Sequence, residues 1–197
     1  MDLLKIGKSG NIEKDKFISR FFGIFNEKIA ELYFNSPYSK YKNLGRPTIK
    51  YGKEKYTFDF TLQNKETNKI YVCEMKCEMQ FNNYKRLLLE NIDQILSHKK
   101  VSFIYFLDIS KNKSKHKIEV DKKEIKTDGI ILLWGKITND TNALLKIKEH
   151  FGFYEIISLE KLINIMVENN YNEYYQYINE KREWINNFFD EIITIEG

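Results

Sequence analysis

Residues 55–76 constrain the fold more than any other stretch of the chain. They hold two apolar runs of strand length, 55–62 and 69–76, separated by the six polar residues Gln63-Asn64-Lys65-Glu66-Thr67-Asn68. Two such runs joined by so short a polar connection predict an antiparallel hairpin, and the run at 47–51 predicts a third strand ahead of it. In the first run Tyr56, Phe58, Phe60 and Leu62 alternate with Thr57, Asp59 and Thr61, so Asp59 is the only acid on its face. In the second, Ile70, Val72, Glu74 and Lys76 share one face and Tyr71, Cys73 and Met75 the other.

Around this hairpin the pattern becomes helical. Phe17, Phe21, Ile24 or Phe25, Lys28 and Leu32 recur at helical spacing, with Ile29 and Tyr33 widening the apolar face, which predicts a helix over 12–34 with an inward Phe17 stripe and Asn11 as its N-cap. Tyr84 to Leu96 reads as a second helix, with Leu87, Leu88, Asn91 and Ile95 on one side. The continuous apolar runs Val101 to Ile109 and Ile130 to Trp134 fit central strands buried on both faces, with a lysine-rich loop or short excursion over 111–126. Thr138 or Asp140 caps a helix that runs through His150 and ends at Gly152, and Phe153 to Ile157 is a short strand. Ser158 caps a helix to Glu168, and a last helix covers 171–192. Its stripe of Tyr171, Tyr174, Ile178, Ile185, Phe188 and Ile192 marks core or dimer surface. The expected fold class is α/β with a mixed sheet in one domain, 1–197: a core over about 10–135 and a helical C-terminal part over about 138–197.

Composition excludes several classes. Hydrophobic content of 42% with 15% aromatic residues argues against disorder, and 9 Gly with 2 Pro leave little for long linkers. No stretch approaches the roughly 20 apolar residues that span a bilayer, so no membrane partner is expected. Met1-Asp2-Leu3-Leu4-Lys5 lacks the apolar core of a secretory signal, and the expected location is the cytoplasm. Cys73 and Cys77, on one face of a strand, would lie about 13 Å apart at ~3.3 Å per residue, too far for a disulfide. The net charge of +4 says little, but its distribution is uneven. Residues 40–55 and 98–126 each carry a net +5, whereas 149–197 carry −7. A basic body with an acidic tail suits a chain that holds phosphates on one side.

The chemistry concentrates on Asp59, Glu74 and Lys76. Hairpin pairing can bring the two carboxylates to one end, where they repel unless a cation compensates them. A hard divalent ion such as Mg²⁺, held by one or two carboxylates, waters and a substrate phosphate, meets that need. A lysine beside it can orient the attacking water and offset charge on the transition state. Asp followed by Glu-x-Lys is therefore a set suited to phosphodiester hydrolysis. Other acid-x-Lys triplets, Asp121-Lys122-Lys123 and Glu124-Ile125-Lys126, lack apolar flanks. Gly7-Lys8-Ser9 mimics the end of a phosphate-binding loop, but Asp2 stands where its first glycine belongs. His98, His116 and His150 are scattered and suggest no metal cluster.

Phe58-Asp59-Phe60, followed by Cys73-Glu74-Met75-Lys76, resembles the signature of the PD-(D/E)XK nuclease superfamily, the restriction-endonuclease-like group that includes junction resolvases and RecB-type nucleases. The proline that often precedes the first Asp is replaced by Phe58. The resemblance implies a core of helix, three-strand meander, helix and strand, and Mg²⁺-dependent cleavage of DNA leaving 5′-phosphate, with Mn²⁺ a substitute. It implies Asp59 and Glu74 as metal ligands, the Met75 carbonyl as a further ligand and Lys76 as the catalytic lysine. Many members add an acid from the first helix. Glu13, Glu27 and Glu31 are the candidates, and Gly10-Asn11-Ile12-Glu13, one turn before Phe17, favours Glu13. Gln80 with Tyr84 is similar to the QxxxY element of RecB-like nucleases. DNA is the expected partner, an endonuclease is favoured over an exonuclease, and duplex cleavage makes a homodimer the default. The alternatives are a catalytically inactive nucleic-acid-binding module of the same fold and an oligomeric structural protein.

Overall fold

The structure is a computed structural model that describes residues 10–51, 53–80, 85–112 and 117–193. Helix α1 (Ile12–Asn35) is followed by strands β1 (Tyr41–Asn43), β2 (Thr48–Tyr51), β3 (Glu54–Thr57), β4 (Phe60–Asn64) and β5 (Ile70–Lys76). Next come the short strands β6 (Met79–Gln80), β7 (Lys85–Arg86) and β8 (Leu88–Leu89), then helices α2 (Ile92–Leu96) and α3 (Val101–Lys111). The chain continues through β9 (Lys117–Val120), β10 (Lys123–Ile125), β11 (Gly129–Trp134) and β12 (Lys136–Ile137). It closes with α4 (Thr141–Phe151), β13 (Phe153–Ser158), α5 (Leu159–Glu168) and α6 (Asn172–Ile193).

Two sheets organise these elements. The main sheet runs β1-β4-β5-β11-β13 and is mixed: β1, β4 and β5 form an antiparallel meander, and β11 lies parallel to both β5 and β13. A second, antiparallel sheet runs β10-β9-β2-β3. The α/β class and the mixed sheet agree with the sequence reading. So do the caps and the polar connection, although the latter narrows from the expected 63–68 to 65–69, because Gln63 and Asn64 pair with Lys42 and Tyr41 and extend β4. Asn11 accepts from the Lys14 amide, Asp140 caps α4, and Ser158 caps α5. Gly152 ends α4 at φ +69°, a left-handed conformation that favours glycine.

β11 divides the core. Ile130, Leu132 and Trp134 point to one face with Val72, Phe103, Phe106, Ile147 and Phe151. Ile131 and Leu133 point to the other, against Ile29, Phe34, Tyr71, Cys73 and Leu162. All six β11 residues are buried, as the reading of a central strand requires. Each fully buried Leu, Ile or Phe contributes about 1.5–3 kcal/mol.

Four expectations fail for identifiable reasons. Val101–Lys111 is a helix, α3, rather than a strand. Its buried residues Phe103, Phe106 and Ile109 recur every third position, whereas Val101 and Ile104 are exposed. Joining parallel β5 and β11 requires a crossover, which a helix supplies. The expected 84–96 helix is instead strand fragments plus the one-turn α2, because Asn91 acts as an N-cap in a capping box with Gln94. The expected strand 55–62 is two strands in two sheets, broken at Phe58-Asp59, and the expected strand at 47–51, β2, pairs in the second sheet, so β1 takes its place in the meander. Phe58 packs on the α3 side and Phe60 on the α1 side, so the alternation holds only within each half. Finally, Phe17 is 69% exposed, and the buried face of α1 joins the expected Ile29 and Tyr33 to Ile18, Asn26, Ala30 and Phe34. The excursion 111–126 contains the β9–β10 hairpin, while 113–116 lies outside the described residues. Cys73 and Cys77 are free thiols.

Candidate active site

The site forms where the hairpin of the main sheet parts. The register Phe60↔Cys73 sets Asp59 next across from Glu74, at the point where the chain leaves β3 and turns into β4. Having left the ladder, Asp59 substitutes its side chain for a backbone acceptor: Oδ2 accepts from the Met75 amide at 2.7 Å. Glu74 and Lys76 project together from β5, two residues apart, beside Leu132 and Trp134 of β11. Glu74 is only 7% exposed. Its Oε1 accepts from Lys76 Nζ, and that ammonium also donates to the Met75 carbonyl at 3.2 Å and lies 4.8 Å from the centroid of Phe103.

Burial pushes the Glu74 carboxyl up to about 7; the Asp59 charge adds to the rise and Lys76 opposes it. Helix α1 adds an acid. Glu27 pairs with Arg46 at 2.8 Å, and the same guanidinium lies 3.6 Å from Asp59. Burial raises the Glu27 carboxyl, Arg46 opposes the rise, and Asp59 and Glu31 reinforce it. Glu27 is thus the α1 acid that senses Asp59. Glu31 pairs with Lys28 at 3.0 Å on the exposed flank. Glu13 stands exposed in the first turn, fourteen residues from Glu27 and so about 21 Å away along the helix axis. The stripe that favoured Glu13 is covered only toward its C-terminal end, where Phe25 and Leu32 pack against the core, and at Phe17 beside Glu13 it is exposed.

A wall of the site went unread in the sequence. Burial, then Lys76 and Lys100, lower His98 to about 4, which makes it neutral at pH 7. Its Nδ1 is 3.5 Å from Glu78 Oε1, and its ring packs edge-on to Phe103 and Trp134. Burial also raises Glu78, against the pull of Lys76 and Lys100. No sequence spacing flags Arg46 or His98, because each arrives from a separate segment. Gln80 lies in β6, while Tyr84, Gly7, Lys8 and Ser9 fall outside the described residues.

Asp59, Glu74 and the Met75 carbonyl are hard oxygen donors of the kind that suit Mg²⁺ or Mn²⁺. Two cations already attend them, Arg46 on Asp59 and Lys76 on Glu74. Among the described residues, no group of three or more His, Cys, Asp or Glu side chains stands ready-made for a metal. Among those residues, too, no helix is long and apolar enough to cross a membrane. Comparison of the chain with protein-family models, with curated proteins and with solved structures finds no match in any of the three.

Proposed function

We propose that this chain is a metal-dependent deoxyribonuclease of the PD-(D/E)XK, restriction-endonuclease-like kind. The observation that carries the reading is the convergence of Asp59, Glu74 and Lys76 at the mouth of one hairpin, with Glu74 and Lys76 in contact. The element order supports it: helix α1, the β1-β4-β5 meander, helix α3 and the parallel strand β11. The donor set fits a hard divalent ion, since two carboxylates and a carbonyl oxygen converge where two cationic side chains now balance the charge.

Asp59, Glu74 and the Met75 carbonyl would hold Mg²⁺, with Mn²⁺ as a substitute. Bound there, the ion supplies a more acidic water and shields the scissile phosphate. The chain's own groups do the remainder. Glu74 must give up its proton to serve as a ligand, and proximity to Lys76 eases that loss. Lys76, confined by Phe103, then directs its ammonium toward the attacking water and the charge that builds on the phosphate. Glu27 and Arg46 position Asp59 from the α1 side.

Cutting both strands of a duplex asks for two such sites, and hence a homodimer. The outer end of α6, where Trp184, Phe188 and Phe189 are exposed, offers an apolar surface for it. A second reading, binding of nucleic acid without cleavage, draws on Arg46, which already neutralises the carboxylates.

Cleavage of labelled linear, single-stranded and four-way-junction DNA with Mg²⁺, Mn²⁺ or EDTA separates the two. Metal-dependent cutting that disappears in Lys76→Ala supports the enzyme. A salt-sensitive gel shift without cutting in either metal replaces it with the binding module.

A further inference from the structure

Parts of the two basic clusters of the sequence, 48–51 and 54–55 from the first and 117–125 from the second, meet in the second sheet. Strand β2 lies between β3, from the first cluster, and β9, from the second. Its inner face is apolar: Ile49 and Ile118 are buried, and Tyr56 and Ile125 pack against the same core. On the outer face the register aligns Lys117↔Lys50↔Lys55 in one row across three strands. At about 4.8 Å between strands the row spans about 10 Å. Like charges directly opposite one another destabilise a sheet, and while Lys50 and Lys117 offset the facing pair Glu119 and Glu124, Lys55 adds positive charge with no counter-charge on this face among the described residues.

Its counter-charges are few. Glu119 pairs with Lys50, and Lys50, Lys55 and Lys117 together hold its carboxyl below the usual range. Glu124 lies 3.6 Å from Lys117. Among the described residues, Lys53 and Lys55 have no ion-pair partner, and both are exposed. The paired acids Glu119 and Glu124 stand toward the Thr48–Thr57 end and the lysines toward the β2–β3 turn, where the one acid among the described residues, Glu54, accepts from the Tyr56 hydroxyl. The excess of positive charge therefore gathers at the tip. Strand β3 runs from that tip directly to Asp59, and Lys55 is four residues before it, at most about 14 Å along the chain.

We propose that this outer face is a binding surface for the phosphate backbone of duplex DNA, with Lys50, Lys55 and Lys117 each contacting the phosphates. Over 10 Å of axis, B-DNA presents about six charges, more than enough for three ammonium groups. The surface carries no base-reading pattern, so it sets affinity and orientation rather than sequence. It rests on the nucleic-acid part of the functional reading but not on catalysis.

The test is fluorescence anisotropy of a labelled duplex with the full chain in EDTA, over a salt series. The proteins compared are wild type, the triple variant Lys50→Gln, Lys55→Gln, Lys117→Gln, and a control, Lys146→Gln, Lys148→Gln, Lys161→Gln, altered on α4 and α5. The expected result is a slope of log affinity against log salt that falls by about 2.7 in the first variant and stays unchanged in the control. The triple variant should still unfold in one cooperative transition, with a midpoint lowered only slightly by the loss of two exposed ion pairs, which separates lost contacts from lost fold. An unchanged slope, or a wild type that binds no duplex, overturns the proposal. A wild type that binds through these lysines yet cuts nothing with Mg²⁺ or Mn²⁺ leaves the surface standing and removes the nuclease.

Discussion

The two sheets of this protein share a chain segment and treat charge in opposite ways. The main sheet is covered on both faces, and at its parted hairpin it holds Glu74 and Lys76 nearly out of water. Among the described residues, the second sheet is covered on one face only and leaves its lysines in solvent. They meet at Phe58-Asp59, where β3 of one becomes β4 of the other. The difference shows where charge carries a cost. A buried carboxylate shifts its proton equilibrium and couples to its neighbours, whereas an exposed lysine row is screened by salt. Reactive chemistry belongs to the first environment and reversible attraction to the second.

The contrast can be broken at several points. The largest effect is expected in the main sheet, where Leu132→Ala empties a fully buried position beside Glu74. It should cost about 2–5 kcal/mol in denaturant unfolding. If the loss is no greater than that of an exposed substitution, the main sheet is not the stable partner. Lys76→Ala should follow, lowering the cleavage rate by about 10²–10³-fold in single-turnover assays while the circular dichroism spectrum stays native. A variant that cuts at the wild-type rate removes Lys76 from the chemistry.

The pH dependence comes next. Glu74 keeps its proton until about pH 7, and its protonated form cannot serve as a ligand. The sign is therefore fixed: metal affinity and cleavage rise about tenfold per pH unit below 7 and level off above it. Titration of Mn²⁺ by calorimetry from pH 5.5 to 8.5 checks this, and a profile flat through 7 contradicts it. Stability should move the other way. The folded carboxyl binds its proton more tightly than the unfolded one, so the stabilising contribution is full below about 4.5 and is lost as pH rises toward 7. Arg46→Gln should have a smaller effect, tightening Mn²⁺ binding several-fold by removing a cation that competes at Asp59 and Glu27. Weaker binding would instead make Arg46 a support for the ligands. Smallest of all, Lys55→Gln should leave the thermal midpoint unchanged or slightly raised, because it relieves repulsion on an exposed face.

Much of this was legible locally. The hairpin, its polar connection and the caps at Asn11, Asp140 and Ser158 depend on residues a few positions apart, which a sequence exposes directly. The β5 alternation that sets Glu74 and Lys76 on one face is of the same kind. Apolar runs were less decisive. Val101–Lys111 and Gly129–Trp134 are both strongly apolar, yet one is a helix and the other a strand. Hydrophobicity without clear periodicity reports burial and not conformation. On α1, Phe17, Phe21 and Phe25 stack on one another in a row whose helical spacing does not tell the exposed Phe17 from Phe25, which Tyr177 of α6 covers.

By itself, the sequence determined the α/β class, the central buried strand β11, the hairpin ends and the face shared by Glu74 and Lys76, because these follow from side-chain periodicity and local capping. Only the tertiary structure decided that the strand breaks at Asp59, that Glu27 and Arg46 reach it, and that two distant lysine clusters form one face. Those outcomes depend on strand pairing and helix docking between segments far apart in the chain. No local pattern encodes the register in which such segments meet.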